Sequence, residues 1–208
     1  MHTTLSATGE PSGQRIVRTE LILGGQKSGK SRRAEALAAQ WLGMSPNHRA
    51  VLVATAQPWD EEMRQRIARH QADRAVRVPG LATVEEPLAL GETIARHSQP
   101  NTLVVVDCLT LWLTNLLMPA ELAQNLEPNR PLATAESAQV ASLLIAIDQA
   151  PGPVVLVGNE IGLGVIPLGR EVRAFVDALG CLNQDVAAAC QRVTLMAAGL
   201  ALSLKDIA

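Results

Sequence analysis

Gly24-Gly25-Gln26-Lys27-Ser28-Gly29-Lys30-Ser31 fits G-x-x-x-x-G-K-[ST], the pattern of a phosphate-binding P-loop. Its flanks agree with that reading. The apolar run Leu21-Ile22-Leu23 precedes it, and residues 32–42, rich in Ala, Arg and Leu, follow as a helix. A strand, a glycine-rich turn and a helix are what the chemistry needs. Glycines let backbone N–H groups turn inward around phosphate oxygens, and the helix N-terminus adds its positive end. In such a loop Lys30 reaches the β- and γ-phosphates of a nucleoside triphosphate, and the Ser31 hydroxyl binds Mg²⁺. The loop predicts nucleotide binding and is silent on what is done with the nucleotide.

Outward from this loop, strands and helices alternate. Strands are expected at 19–23, 50–54, 82–85, 102–107, 154–157, 192–197 and 200–205. Helices are expected at 30–42, 58–73, 87–97, 109–117, 134–149 and 168–191, the last broken near Gly180. Pro119, Pro128 and Pro131 make 119–132 a loop. The fold class that follows is α/β: a single P-loop NTPase-like domain over 19–208, with a mostly parallel central sheet flanked by helices. The last two strands, joined at Gly199, are expected to be antiparallel. Residues 1–18 are polar and read as a disordered tail rather than a secretory signal.

The bulk composition narrows the function. Of 208 residues, 48% are apolar and 18% charged, with a net charge of −2. That suits strands buried on both faces. It supplies neither the basic stripe of a nucleic-acid binder nor, with one Phe, three Trp and no Tyr, a stacking platform for bases. No segment has the apolar length of a membrane span. Cys108, Cys181 and Cys190 lack metal or disulfide spacing, and a reduced, cytoplasmic setting is the simplest reading.

Three further positions bear on chemistry. Asp107 closes the most strongly apolar strand; it either holds Mg²⁺ or its water, or caps the next helix, and the two roles are compatible. Asn159-Glu160 follows another apolar strand and leads into a glycine-containing run, so it is either a substrate contact or an ordinary loop. His70 shares a helical face with Met63 and Ile67, with Arg66 and Arg74 nearby; from spacing alone it is a partly buried surface histidine capping a helix C-terminus.

Taken together, the motifs resemble a known family. The P-loop near the start is followed by Ala54-Thr55-Ala56, by Arg66-Ile67 with His70, and by Asp73-Arg74. Then come Thr83-Val84-Glu85-Glu86-Pro87, the run Asp107-Cys108-Leu109-Thr110-Leu111-Trp112-Leu113-Thr114-Asn115-Leu116-Leu117, and Asn159-Glu160-Ile161-Gly162-Leu163-Gly164. In this order, over nearly the whole chain, they are similar to the bifunctional adenosylcobinamide kinase/adenosylcobinamide-phosphate guanylyltransferases of cobalamin biosynthesis.

The resemblance implies a homotrimeric enzyme with two activities. ATP or GTP phosphorylates the aminopropanol hydroxyl of adenosylcobinamide. GTP then gives GMP to that phosphate through a guanylylated histidine, which is His70 by its place in the R-I-x-x-H segment. Lys30 is the other catalytic residue implied. The implied nucleotide site comprises Gly24, Gly25, Gln26, Lys27, Ser28, Gly29, Lys30, Ser31, Ala54, Thr55, Ala56, Gln71, Ala72, Asp73, Arg74, Glu85 and Asp107, with Mg²⁺ at Ser31 and Asp107. On this resemblance Glu85 would accept hydrogen bonds from the guanine edge. The chain departs from the family pattern at Ala75, where proline is usual, in residues 76–82, and at Cys181, where a basic residue is common. Two other readings stay open at this level. One is a monofunctional P-loop kinase for a small alcohol with His70 structural; the other is a non-catalytic nucleotide switch.

Overall fold

The apolar runs form the inner strands of one sheet. The computed structural model describes residues 15–118, 132–165 and 167–207. The elements are β1 (Thr19–Gly24), α1 (Lys30–Met44), β2 (Arg49–Ala54), α2 (Glu61–Arg77), β3 (Leu81–Glu85), α3 (Leu90–His97), β4 (Thr102–Asp107), α4 (Leu109–Leu117), α5 (Leu132–Gln149), β5 (Val154–Val157), α6 (Arg170–Ala189), β6 (Arg192–Ala197) and β7 (Leu200–Asp206). The strand order is β3-β2-β4-β5-β1-β6-β7, parallel throughout except for the antiparallel β6–β7 pair. This is the expected α/β sheet with an antiparallel end.

Alternation along the strands sorts side chains into two cores. Leu21, Leu23, Val104, Val106, Val154 and Leu156 face α3, α4, α5 and α6, where Leu90, Ile94, Trp112, Leu113, Ile147 and Leu182 complete one cluster. Ile22, Leu52, Val105, Val155 and Val157 face the other way, onto Ala34, Leu37 and Ala38 of α1 and onto Val78. Because both faces are covered, the strands carry apolar residues at nearly every position. One charged cluster is buried among them. Glu20 on β1 pairs with Arg33 of α1 at 2.7 Å and with Arg192 of β6 at 3.7 Å, and accepts a hydrogen bond from Thr194 Oγ1 at 2.9 Å.

Several expected boundaries shift for local reasons. Residues 15–18, expected to belong to the tail, are packed: Val17 is buried, Arg18 O accepts from Val154 N, and Arg15 O accepts from Arg192 Nη1. The rest of that tail and the loop at 119–131 lie outside the described residues. Helix α2 starts at Glu61 rather than Pro58 because Asp60 caps it, its carboxylate accepting from Met63 N at 2.7 Å. It runs to Arg77 rather than 73. Ala75, with no proline ring and with an N–H, lets the helix continue, and Val78 N closes it on Arg74 O. Helix α3 begins at Leu90, after the Glu86 carboxylate has taken the N–H groups of Leu88 and Ala89. Helix α6 is unbroken at Gly180. A glycine there costs about 1 kcal/mol, and burying Leu179, Leu182 and Val186 on the same helix outweighs it.

Among the described residues, no helix is long and apolar enough to cross a membrane. Cys108 and Cys190 are buried and Cys181 is exposed, all three free. Burial raises the Cys108 thiol to about 11 and the Cys190 thiol to about 12. Both therefore stay protonated and enclosed at pH 8, and a disulfide reagent should titrate one thiol in the native chain and three after denaturation. A second fast-reacting thiol in the folded chain would contradict this packing.

Candidate nucleotide site at the C-terminal edge of the sheet

The P-loop joins β1 to α1 and needs its glycines at particular places. Gly24 has φ +150°, and a Cβ there would meet Met196 O at 2.4 Å and Ser28 Oγ at 2.6 Å. Gly29, at φ +103°, precedes the first residue of α1 and lies against Gly199 of the β6–β7 turn. That turn also holds the loop directly, with Gly199 N donating to Ser28 O at 3.0 Å.

Three features of the loop suit an anion. No side chain caps α1, so the N–H groups of its first turn are left for a ligand. The Ser28 hydroxyl is buried and has no hydrogen-bond partner among the described residues. The Lys30 ammonium is buried too and donates to Gly25 O at 2.6 Å. Burial lowers its pKa, opposed by the nearby Cys108 thiol and Asp107 carboxylate. A phosphate arriving here meets a cation that is short of solvation, so the attraction is little screened.

Register brings the other candidates to the same edge. Ala54 of β2 is opposite both Glu85 of β3 and Asp107 of β4, so these three residues form a row across adjacent strands. The strand ending in Asp107 does not neighbour β1; β5 lies between them. Asp107 is nonetheless close enough to act electrostatically on Lys30. Glu160 N donates to Gly24 O, which joins the loop after β5 to the P-loop. Leu163 and Val165 further along that loop are 80% and 96% exposed, leaving apolar surface beside the edge.

His70 stands in the middle of α2, seven residues before its end, and its side chain is exposed. The C-terminal cap expected for it is therefore excluded; Val78 holds that place. Arg74 is the one buried residue of α2. Near the same end, Arg77 Nε lies 2.9 Å from Oε2 of the buried Glu35 on α1. Burial raises the Glu35 pKa, with Arg77 and Arg74 opposing the rise. The neighbour of His70, Gln71, donates from Nε2 to Glu85 Oε1 at 3.3 Å, and so ties the helix to the row of strand ends. Ala72 and Asp73, the next two, are exposed.

Thr55 is the candidate whose placement differs most from a ligand contact. It is fully buried, and its hydroxyl is taken up by the backbone of Cys108. Residues missed by sequence reasoning hold its loop and the loop after β5. Asn115 Nδ2 donates to Thr55 O at 2.8 Å and to Pro87 O at 3.2 Å. Thr110 Oγ1 accepts from Asn159 N at 2.8 Å, and Asn183 Nδ2 donates to Asn159 O at 3.1 Å. A signal was available: Thr110, Thr114 and Asn115 are the polar residues of an otherwise apolar helix, which is where buried polar groups with specific partners occur.

Mg²⁺ fits these residues in one way. Among the described residues no group of three or more His, Cys, Asp or Glu could hold a metal by itself. Ser31 and Asp107 offer hard oxygen donors, and an ion that keeps waters and takes most of its remaining ligands from phosphates needs no more.

The fold and the edge define a P-loop NTPase-like α/β protein. The family model for cobinamide kinase/cobinamide phosphate guanyltransferase matches residues 20–204, and the chain belongs to that family. It is thereby an enzyme of the transferase class, associated with cobalamin biosynthesis. It is 45% identical over 186 residues to the bifunctional adenosylcobalamin biosynthesis protein CobP of Pseudomonas aeruginosa, covering 89% of this chain and 96% of that one. It is 35% identical to the protein of that description called CobU in Escherichia coli, over 189 residues, and to its Salmonella typhimurium counterpart over 188. Each of these two alignments covers 89% of this chain and 98% of the relative.

Proposed function

We propose that this chain phosphorylates adenosylcobinamide with ATP or GTP, and then transfers GMP from GTP to adenosylcobinamide phosphate through a guanylylated His70. The observation that carries the second step is the exposed imidazole on α2, whose next residue is hydrogen-bonded to Glu85 in the row Glu85, Ala54, Asp107. A structural histidine would be packed or bonded; this one has no hydrogen-bond partner among the described residues.

In the kinase step the substrate hydroxyl oxygen attacks the γ-phosphorus, the hydroxyl proton is released to solvent, and the nucleoside diphosphate leaves. The protein supplies position and charge: P-loop N–H groups, Lys30, and Ser31 with Asp107 as holders of Mg²⁺, which neutralises phosphate charge when bound. In the second step an imidazole nitrogen of His70 attacks the α-phosphorus of GTP, and pyrophosphate departs. The imidazole proton is lost, and a phosphoramidate bond joins GMP to His70. The phosphate of adenosylcobinamide phosphate then attacks that phosphorus, giving adenosylcobinamide-GDP and freeing the histidine. Arg66, Arg69 and Arg74, on the same helix, stabilise charge on the α-phosphate during transfer. Glu85 accepts hydrogen bonds from the guanine edge, with Ala54, Thr55 and Ala56 forming the adjacent turn.

A helix that buries one side chain is held weakly, which suits a nucleophile that has to approach a phosphate and then present it to a second substrate. The exposed apolar loop at 161–165 offers contact surface to a substrate as large as a corrinoid. A cytoplasmic homotrimer completes the proposal, and sedimentation equilibrium tests the assembly. The decisive experiment is intact-mass spectrometry after incubation with GTP and Mg²⁺. An acid-labile, GMP-sized adduct is expected. Its absence while GTP demonstrably binds would favour the monofunctional kinase.

A further inference from the structure

We propose that Asn115 and Thr55 are positioning residues that set the nucleobase preference of this site, by tying the loops after β2 and β3 to the β4–α4 turn. The proposal rests on the reading that Glu85 and the turn at Ala54, Thr55 and Ala56 receive guanine.

The sheet itself aligns Ala54 with Glu85 and Asp107, but its ladder ends at those residues. Past the edge the spacing of the loops depends on other bonds. Two are backbone, Glu86 N to Ala54 O at 2.9 Å and Thr55 N to Asp107 O at 3.2 Å. The others converge on two side chains. Asn115 is buried on α4, and its amide forks between Thr55 O and Pro87 O, at 2.8 and 3.2 Å. One side chain thereby fixes the distance between the loop following Ala54 and the loop following Glu85. Thr55 locks the first loop to the third. Its hydroxyl donates to Cys108 O at 2.7 Å and accepts from Cys108 N at 2.9 Å, and its own N–H donates to Asp107 O at 3.2 Å. With its carbonyl taken by Asn115, Thr55 has every polar group engaged with protein. Its contribution to a nucleotide site is therefore to hold its neighbours in place.

Base discrimination makes such a frame matter. A carboxylate accepts from guanine N1–H and the 2-amino group; adenine has an acceptor at N1 and lacks the 2-amino group. The gain for guanine depends on Glu85 lying within a few tenths of an ångström of hydrogen-bond distance. Loosening the two loops weakens GTP binding, while ATP, which does not use that bond, loses less.

The test is calorimetric titration with GTP and with ATP, on variants whose folding is checked by circular dichroism. Asn115→Leu and Thr55→Val should each lower the GTP-over-ATP affinity ratio about tenfold, the size of one well-made buried hydrogen bond. Thr55→Ser, which keeps the hydroxyl, should stay within about twofold of the parent protein. Should Asn115→Leu fail to fold, the Thr55 pair decides. Equal losses for both nucleotides, a Thr55→Val ratio matching Thr55→Ser, or a parent protein without base preference would each overturn the positioning role. Glu85→Gln separates the underlying reading. If its ratio is unchanged while that of the Asn115 variant falls, guanine is read elsewhere and the positioning role stands.

Discussion

His70→Ala should abolish incorporation of label from GTP carrying radioactive α-phosphate, while phosphorylation of adenosylcobinamide continues at near the parent rate. The two outcomes come from one placement. His70 is exposed at mid-helix on α2, a different element from the P-loop proposed to serve the kinase step. Removing it takes away the nucleophile and leaves Lys30, Ser31 and Asp107 untouched. A covalent step loses its route entirely when its nucleophile is lost, so labelling should fall more than about 10³-fold. Because the side chain is exposed and makes no hydrogen bond among the described residues, the melting temperature should not move. Sustained labelling in the variant would remove His70 from the mechanism. Loss of both activities in a folded variant would show that the histidine also serves the kinase step.

Lys30→Ala should instead lose both half-reactions together. The ammonium is buried in the loop that both nucleotides are proposed to use, held at Gly25 O and acted on by Asp107. Deleting a preorganised charge aimed at transferring phosphates costs at least about 100-fold, or about 2.7 kcal/mol of transition-state stabilisation. The ligand-free fold should not suffer. A lysine whose pKa is lowered on folding is one whose charged form the fold penalises. That penalty is full below the lowered pKa and fades as pH rises through it toward the ordinary 10.5. At neutral pH, then, alanine relieves a cost and forfeits one hydrogen bond. Thermal melts with and without GTP and Mg²⁺ separate the two effects. The parent protein should gain stability from the nucleotide and the variant should not. Parental kinase turnover in Lys30→Ala would place the phosphates elsewhere. Paired with His70→Ala, the experiment distinguishes a shared nucleotide site from a step-specific nucleophile.

Much of the architecture could be read locally. A P-loop is a matter of glycine positions over a few residues, and β4 and β5 are short runs apolar at nearly every position. Their bounds needed no correction. Errors came where a competing local bond lay just outside the pattern, such as the Asp60 cap that moved the start of α2 and the Glu86 carboxylate that delayed α3. The expected break at Gly180 failed because burial of its neighbours exceeds a glycine's helix penalty. His70 shows the opposite limit. Spacing made it a helix-end histidine, and only the run of α2 on to Arg77 exposed that as mistaken.

By itself the sequence determined the P-loop motif, the alternation of strands and helices, and the family motifs in which the proposed site residues His70, Lys30 and Asp107 lie. These depend on periodicity and on neighbours within a turn or two. Only the tertiary structure decided the strand order, with β5 between the P-loop strand and the strand of Asp107. It alone set Glu85, Ala54 and Asp107 in one row, and it turned Thr55 inward onto Cys108 and Asn115. The reason is physical. Which strand lies beside which, and which carbonyl a buried amide finds, follow from packing two cores against one sheet. Such contacts join residues dozens of positions apart, and no local pattern encodes them.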